Sequence, residues 1–263
     1  MNQAERRRYL IDALMDELPA SGRQQIAIPA DAAGQRALLR ALMNVRPPAP
    51  IEPETLAVQD AYLQARLAER GPLTDAGALP YQNRITLWRG DITLIAADGI
   101  VNAANDQMLG CFAPGHSCID NAIHTYAGMQ LRQACNDIML KQGHAEETGK
   151  AKITPAYNLP ARCVLHTVGP IVADHRPTPR HRLQLASCYR SCLKAATAHR
   201  LRTLALCCIS TGVFGYPPRE AARVAVDTVR THLAKYDPSL KVVFNVFLAS
   251  DELIYQELLE EYR

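Results

Sequence analysis

Three residues able to hold a soft divalent cation, Cys111, His116 and Cys118, stand within one short segment, GCFAPGHSC. Two thiols and an imidazole suit zinc, and three protein ligands leave one position open, as in catalytic zinc sites. The spacing is not that of a zinc finger, and no second cysteine pair lies nearby. The alternative is a loop with two half-buried thiols and a surface histidine. Directly after it, Asp120 and His124 are four apart and share one face of a helix. Asp120 in the first turn is favoured by the helix dipole whatever its role, and His124 reads as a satisfied core histidine. Directly before it, Asn102 and Asn105 close the run GIVNAAN. Amides at the carboxyl end of a strand can bind sugar hydroxyls as donor and acceptor, or satisfy loop backbone.

Two further segments carry chemistry. Ser210, Thr211, Gly212, Val213, Phe214, Gly215 and Tyr216 follow the apolar run TLALCCI and precede a helix pattern. Glycines flanking Val213 and Phe214 let the backbone approach a ligand, and successive N–H groups there would cradle an anion with help from the following helix terminus. An ordinary strand-to-helix turn is the other reading. In GDIT, Asp91 can accept from a ligand amino group or cap the next turn.

The elements that must position these residues begin past residue 77. The expected strands are 84–88, 99–103, 152–154, 162–168, 203–209 and 241–248. The expected helices are 119–141, 180–199, 218–233 and 251–262. This alternation predicts an α/β fold with three α/β/α layers and a mixed, largely parallel sheet, with ligands beyond the carboxyl ends of its strands. Upstream, helices are expected from Leu10 to Leu18, over 31–43 with Asp31 as N-cap, and over 53–70 with Pro53 in the first turn. No residue of that N-terminal stretch suggests chemistry. The reading is a helical extension over 1–80 and an α/β domain over 81–263.

Composition narrows the classes. In 263 residues, 29 basic side chains face 26 acidic ones, and aromatics make up 6%. That balance argues against nucleic acid or a membrane surface as partner. No run approaches the roughly 18 apolar residues of a membrane span, so a cytoplasmic location is expected. Cys135, Cys163, Cys188, Cys192, Cys207 and Cys208 sit in apolar patterns and read as core.

Taken in order, GDIT, VNAAN, IDNAIH, ITPAYNLPARCVLHTVGP and STGVFGYP resemble a macrodomain across about residues 81–263. Where most macrodomains have a glycine-rich loop, this chain has GCFAPGHSC. That replacement and the helical N-terminus resemble the zinc-dependent protein-ADP-ribose hydrolases. The resemblance implies an enzyme removing mono-ADP-ribose from protein side chains, Asp- or Glu-linked, and a Zn(2+) cofactor on Cys111, His116 and Cys118. It implies Asp120 and Asn105 as catalytic residues, with Asn102 and Asn105 at the distal ribose. Asp91, with the Ile92 backbone, would take adenine, and the 210–216 loop the pyrophosphate. Relatives carry a stacking aromatic after the last strand, for which Tyr255 is the candidate. The implied partner is a lipoyl-carrier protein modified by a sirtuin-type transferase. A non-catalytic ADP-ribose reader is the alternative.

Overall fold

The computed structural model of the protein describes residues 1–236 and 239–261. Helices α1 (Gln3–Asp16), α2 (Ala20–Arg23), α3 (Ala32–Val45) and α4 (Pro53–Glu69) come first. Local chemistry starts them. Asn2 and Glu5 form a reciprocal capping box on α1. Asp31 accepts from the Gly34 N–H at the head of α3, as expected, and Pro53 opens α4. The predicted apolar stripe, Leu10, Ile11, Leu14 and Met15, packs with Leu39, Leu42, Tyr62 and Leu63 into a small core of its own.

Strand β1 (Thr74–Asp75) is followed by β2 (Ile85–Arg89), β3 (Ile95–Ala96) and β4 (Gly99–Ala104). β1 pairs in parallel with β3, and Ala76 just after it is fully buried in the main core. The chain continues through α5 (Ile119–Ala127), α6 (Met129–Gln142), β5 (Ala151–Pro155), β6 (Cys163–Val168), α7 (Pro179–Ala198), β7 (Thr203–Leu206), α8 (Pro218–Lys235), β8 (Lys241–Val246) and α9 (Ala249–Glu260). The main sheet has the order β2-β8-β7-β4-β6-β5, parallel except for β5 at its edge. Helices α7, α8 and α9 pack side by side, while α5 and α6 cover β4 and β5, giving the expected three layers. The chain crosses from β6 on one side of β4 to β7 on the other. A crevice beyond the strand ends at such a reversal is where open α/β sheets bind ligands.

Three boundaries differ from expectation. The single helix expected over 119–141 is two, because Gly128 sits at φ +101°, outside the helical region, and hands the chain from α5 to α6. A Cβ there would come within 2.7 Å of Gln59 Nε2, whose Oε1 accepts from the Met129 N–H. Gly128→Ala should therefore lower stability by about 1–3 kcal/mol, read as a lower urea midpoint. Strand β7 stops at Leu206, so Cys207 and Cys208 leave the ladder. The last strand stops at Val246, leaving Phe247 and Leu248 outside it. The expected end of the last helix, Tyr262, lies outside the described residues.

Candidate active site

A cleft of about 410 Å³ opens beyond the carboxyl ends of β4, β7 and β8. Its walls include Asn105, the three residues Cys111, His116 and Cys118, then Asp120, and the loop from Ser210 to Phe214. Residues far apart in the chain thus meet in one cavity of ligand size.

Helix α5 begins at this cleft with Cys118 as its N-cap, the sulfur accepting from the Asn121 N–H at 3.4 Å. Asp120 follows in the first turn and is 5% exposed. Asn102 Nδ2 donates to its Oδ1 at 2.8 Å, and Asn105 Nδ2 reaches its Oδ2 at 3.5 Å. Burial pushes the Asp120 carboxyl up to about 6, against the pull of the Asn102 hydrogen bond and the Arg132 charge. A carboxyl that titrates near neutrality beside a cleft suits proton transfer.

Asn102 itself is fully buried and does not line the cleft. It sits opposite His166 in the β4–β6 register, and its amide also faces His166 Nδ1 at 3.1 Å. With both faces of the sheet covered, an asparagine inside β4 points into the protein and not at a ligand. Its role is to hold Asp120. His166 Nε2 in turn bonds Thr154 Oγ1 at 2.9 Å. His124 is buried as expected but is not satisfied: neither ring nitrogen has a hydrogen-bond partner among the described residues. Burial holds it neutral, and its Nε2 stands 3.6 Å from Asp120 Oδ1, so this is not an ion pair. Gly110 is needed for this packing, since a Cβ there would fall 2.7 Å from the His124 ring at φ +81°. A second buried group, His124, Cys135 and His166, gathers behind Asp120. Their spacing in the sequence carries no motif, so only the fold brings them together.

The donor atoms of Cys111, His116 and Cys118 lie within 4.8 Å of one another, with Cys111 Sγ and His116 Nδ1 at 3.7 Å. All three are half-buried at the cleft wall. Burial, with Cys111 and Asp120 beside it, pushes the Cys118 thiol up to about 11. Two sulfurs and an imidazole converging on one point are a donor set that fits zinc.

In the 210–216 loop, Ser210 to Phe214 line the cleft, but Gly215 and Tyr216 do not. The Gly215 N–H bonds Gly212 O, the Tyr216 N–H bonds Ser210 O, and the Tyr216 side chain is buried. Helix α8 starts at Pro217 and Pro218, which have no N–H, so anion donors here must come from the loop's own backbone.

Asp91 and Ile92 are not among the lining residues. Asp91 caps its own turn, accepting from the Thr93 N–H and hydroxyl, and pairs with Arg70 at the end of α4. Ile92 is 4% exposed. Beside them the aromatic wall is Phe247, not Tyr255. Tyr255 is buried against Phe244 with ring centroids 5.0 Å apart, whereas Phe247 is 72% exposed and lines the cleft with Leu248, Asn245 and Asp251. The strand's end at Val246 frees Phe247, which makes it the aromatic directly after the last strand. Cys207 and Cys208 also reach the cleft wall, unlike the other apolar-run cysteines.

Comparison with known proteins places this geometry. A family model described as Macro domain matches residues 101–225. The protein-ADP-ribose hydrolase of Treponema medium is 49% identical over 263 residues, covering 98% of this chain and 100% of its own. That of Staphylococcus aureus strain MSSA476 is 50% identical over 222 residues, 84% of this chain and 83% of its own. Among solved structures, the Trypanosoma brucei macrodomain in complex with ADP-ribose superposes with a TM-score of 0.65 at 30% identity, over 83% of this chain and 94% of that one. A mutant of the Oceanobacillus iheyensis macrodomain with ADPR gives 0.61 at 38% identity, over 67% and 91%. Identity of this depth along nearly the whole chain, together with the shared fold, means that the chain belongs to the macrodomain family, among the protein-ADP-ribose hydrolases.

Proposed function

We propose that this protein is a zinc-dependent hydrolase that removes mono-ADP-ribose from modified protein side chains, linked through Asp or Glu. The observation that carries the reading is the meeting of Asp120, Asn105 and the Cys111/His116/Cys118 triad in one cleft that the 210–214 loop also lines. In this reading the pyrophosphate lies on that loop's backbone, the distal ribose lies against Asn105, and adenine stacks on Phe247 between Asn245 and Asp251. Asp91, locked to Arg70, then supports the adenine end from behind.

The bond broken joins the anomeric carbon of the ribose to an oxygen of the protein carboxylate. Water adds its oxygen to that carbon, the carboxylate leaves with the bonding pair, and a proton from water goes to a base. Asp120 is that base, within reach of the cleft and oriented by Asn102 and Asn105. Cys111, His116 and Cys118 would hold zinc, which would supply Lewis acidity at the cleft wall. The products are ADP-ribose and the free side chain. As protein substrate we propose a lipoyl-carrier protein modified by a sirtuin-type ADP-ribosyltransferase, the partner that the sequence resemblance implies, in the cytoplasm. Among the described residues no helix is long and apolar enough to cross a membrane.

The test is release of free ADP-ribose from a mono-ADP-ribosylated, ester-linked protein. Turnover that chelator stops supports the reading; tight ADP-ribose binding with no release identifies a reader instead. The adenine placement has its own check. Phe247→Ala should raise the ADP-ribose Kd about tenfold by calorimetry, since base–aromatic stacking is worth roughly 1–3 kcal/mol. An unchanged Kd would move adenine elsewhere.

A further inference from the structure

The loop that carries the candidate zinc ligands has almost nothing of its own to hold it. Phe112, Ala113, Pro114, Gly115 and Ser117 are all exposed, and none of its residues belongs to either hydrophobic core. Within it the His116 N–H bonds Ala113 O at 3.2 Å, Asn105 Nδ2 donates to Gly110 O at 3.1 Å, and the Arg132 guanidinium stands 4.3 Å over the Phe112 ring. The remaining support is hydrogen bonds from two helices. Asn121 of α5, fully buried, donates to Ala113 O at 3.0 Å and Cys111 O at 3.5 Å. Further bonds come from α3 of the N-terminal helices. Arg40 donates from Nη2 to His116 O at 2.9 Å, and from Nη2 and Nε to Asn121 Oδ1 at 2.7 and 3.1 Å. Asn44, one turn further and 1% exposed, accepts from the Gly115 N–H at 2.9 Å and donates to Thr125 Oγ1 at 3.0 Å.

The arrangement is directional. Leu39, Leu42 and Met43 bury the other side of α3 in the N-terminal core, which fixes the helix as a rigid bar. Arg40 and Asn44 lie four apart on α3, so their side chains share the face toward the loop. Arg40 contacts both a ligand residue's own carbonyl and the asparagine that holds the loop's first half. Groups of this kind orient metal ligands without touching the metal, and their loss commonly weakens metal affinity by about 10–100-fold.

We propose that Arg40 and Asn44 are positioning residues of the active site: they set the geometry of Cys111, His116 and Cys118, so the N-terminal helices are part of the catalytic machinery. This rests on the zinc reading above. The full-length protein, Arg40→Ala, Arg40→Lys, Asn44→Leu and Cys118→Ala are stripped of metal and titrated with zinc against a chromophoric chelator. Cobalt absorption then reads the ligand geometry. ADP-ribose Kd and the melting temperature of the metal-free forms are measured alongside.

The expected result is a zinc affinity about 10–100-fold weaker in Arg40→Ala and Asn44→Leu. Their cobalt spectra change, while ADP-ribose Kd stays within about twofold. Arg40→Lys, which keeps the charge and loses the fork, should fall with Arg40→Ala. Wild-type affinity and an unaltered cobalt spectrum in Arg40→Ala and Asn44→Leu would overturn the proposal and leave the zinc reading standing. Equal losses of metal and ADP-ribose binding would overturn it too, as general unfolding. A wild type that binds no zinc while Cys118→Ala behaves identically would sink the zinc reading, and this proposal with it.

Discussion

Asp120→Asn should lower the rate of ADP-ribose release by about 10²–10⁴-fold, the range for loss of a positioned base, and leave the ADP-ribose Kd within a few-fold. Asparagine keeps the size of the side chain and an oxygen for Asn102 to donate to, so the substitution removes the base and little else. The same change should make the metal-free protein more stable. The Asp120 carboxyl titrates at about 6 in the fold, above its ordinary 3.8, because burial disfavours the charged form. The folded state therefore holds the proton more tightly than the unfolded chain. The penalty for a buried carboxylate is absent below pH 4, grows between pH 4 and 6 and is complete above it, reaching about 3 kcal/mol at most. Urea melts of the chelated protein at pH 7.5 should show the variant gaining about 1–3 kcal/mol, with the gap closing toward pH 4. A variant that turns over at the wild-type rate would remove Asp120 from the chemistry; one equally stable at both pH values would mean that water reaches the carboxyl.

Cys118→Ser should abolish stoichiometric zinc and lower turnover by roughly 10²-fold or more, to the level of the chelated wild type. Serine is the informative replacement, because Cys118 is also the N-cap of α5 and a serine hydroxyl caps at least as well. The helix start survives while the sulfur is lost. Metal analysis, turnover and thermal melts separate the outcomes. The ligands sit in a loop outside both cores, so chelation should leave the melting temperature of the α/β domain nearly unchanged. A large drop on chelation would identify structural zinc, which contributes folding free energy directly. A serine variant with full metal and full turnover would overturn the triad as a zinc site.

Much of this protein was legible locally. The 3.6-residue stripe Leu10, Ile11, Leu14 and Met15 marked the buried face of α1, and Asp31 marked the start of α3, because caps and periodicity are decided by neighbours in the chain. The strands β2, β4, β6 and β8 were visible as apolar runs for the same reason. The approach of Cys111, His116, Cys118 and Asp120 needed only a loop and one helical turn, all within ten residues.

What failed was whatever depends on residues far apart in sequence. Asn102 is a typical sugar-binding amide by type, yet its place in a doubly covered strand turns it toward Asp120 and His166, 64 residues away. A last strand expected to run to Leu248 left Tyr255 as the aromatic beyond it; the end of β8 at Val246 exposes Phe247 instead, and Tyr255 is buried against Phe244. Gly128 looked like an ordinary helix residue until Gln59 closed on its backbone. Arg40, Asn44 and Arg70 showed no chemistry in a helical pattern. Arg40 and Asn44 reach the Cys111–Cys118 loop across 71–81 residues, and Arg70 reaches Asp91 across 21. Sequence by itself determined most of the elements and the family and offered the candidate reactive groups, since these rest on short-range periodicity and on motif order. Only the tertiary structure decided which of those groups face the cleft, which hold the others in place, and that the N-terminal helices brace the site, because side-chain direction across a packed interface depends on distant parts of the chain.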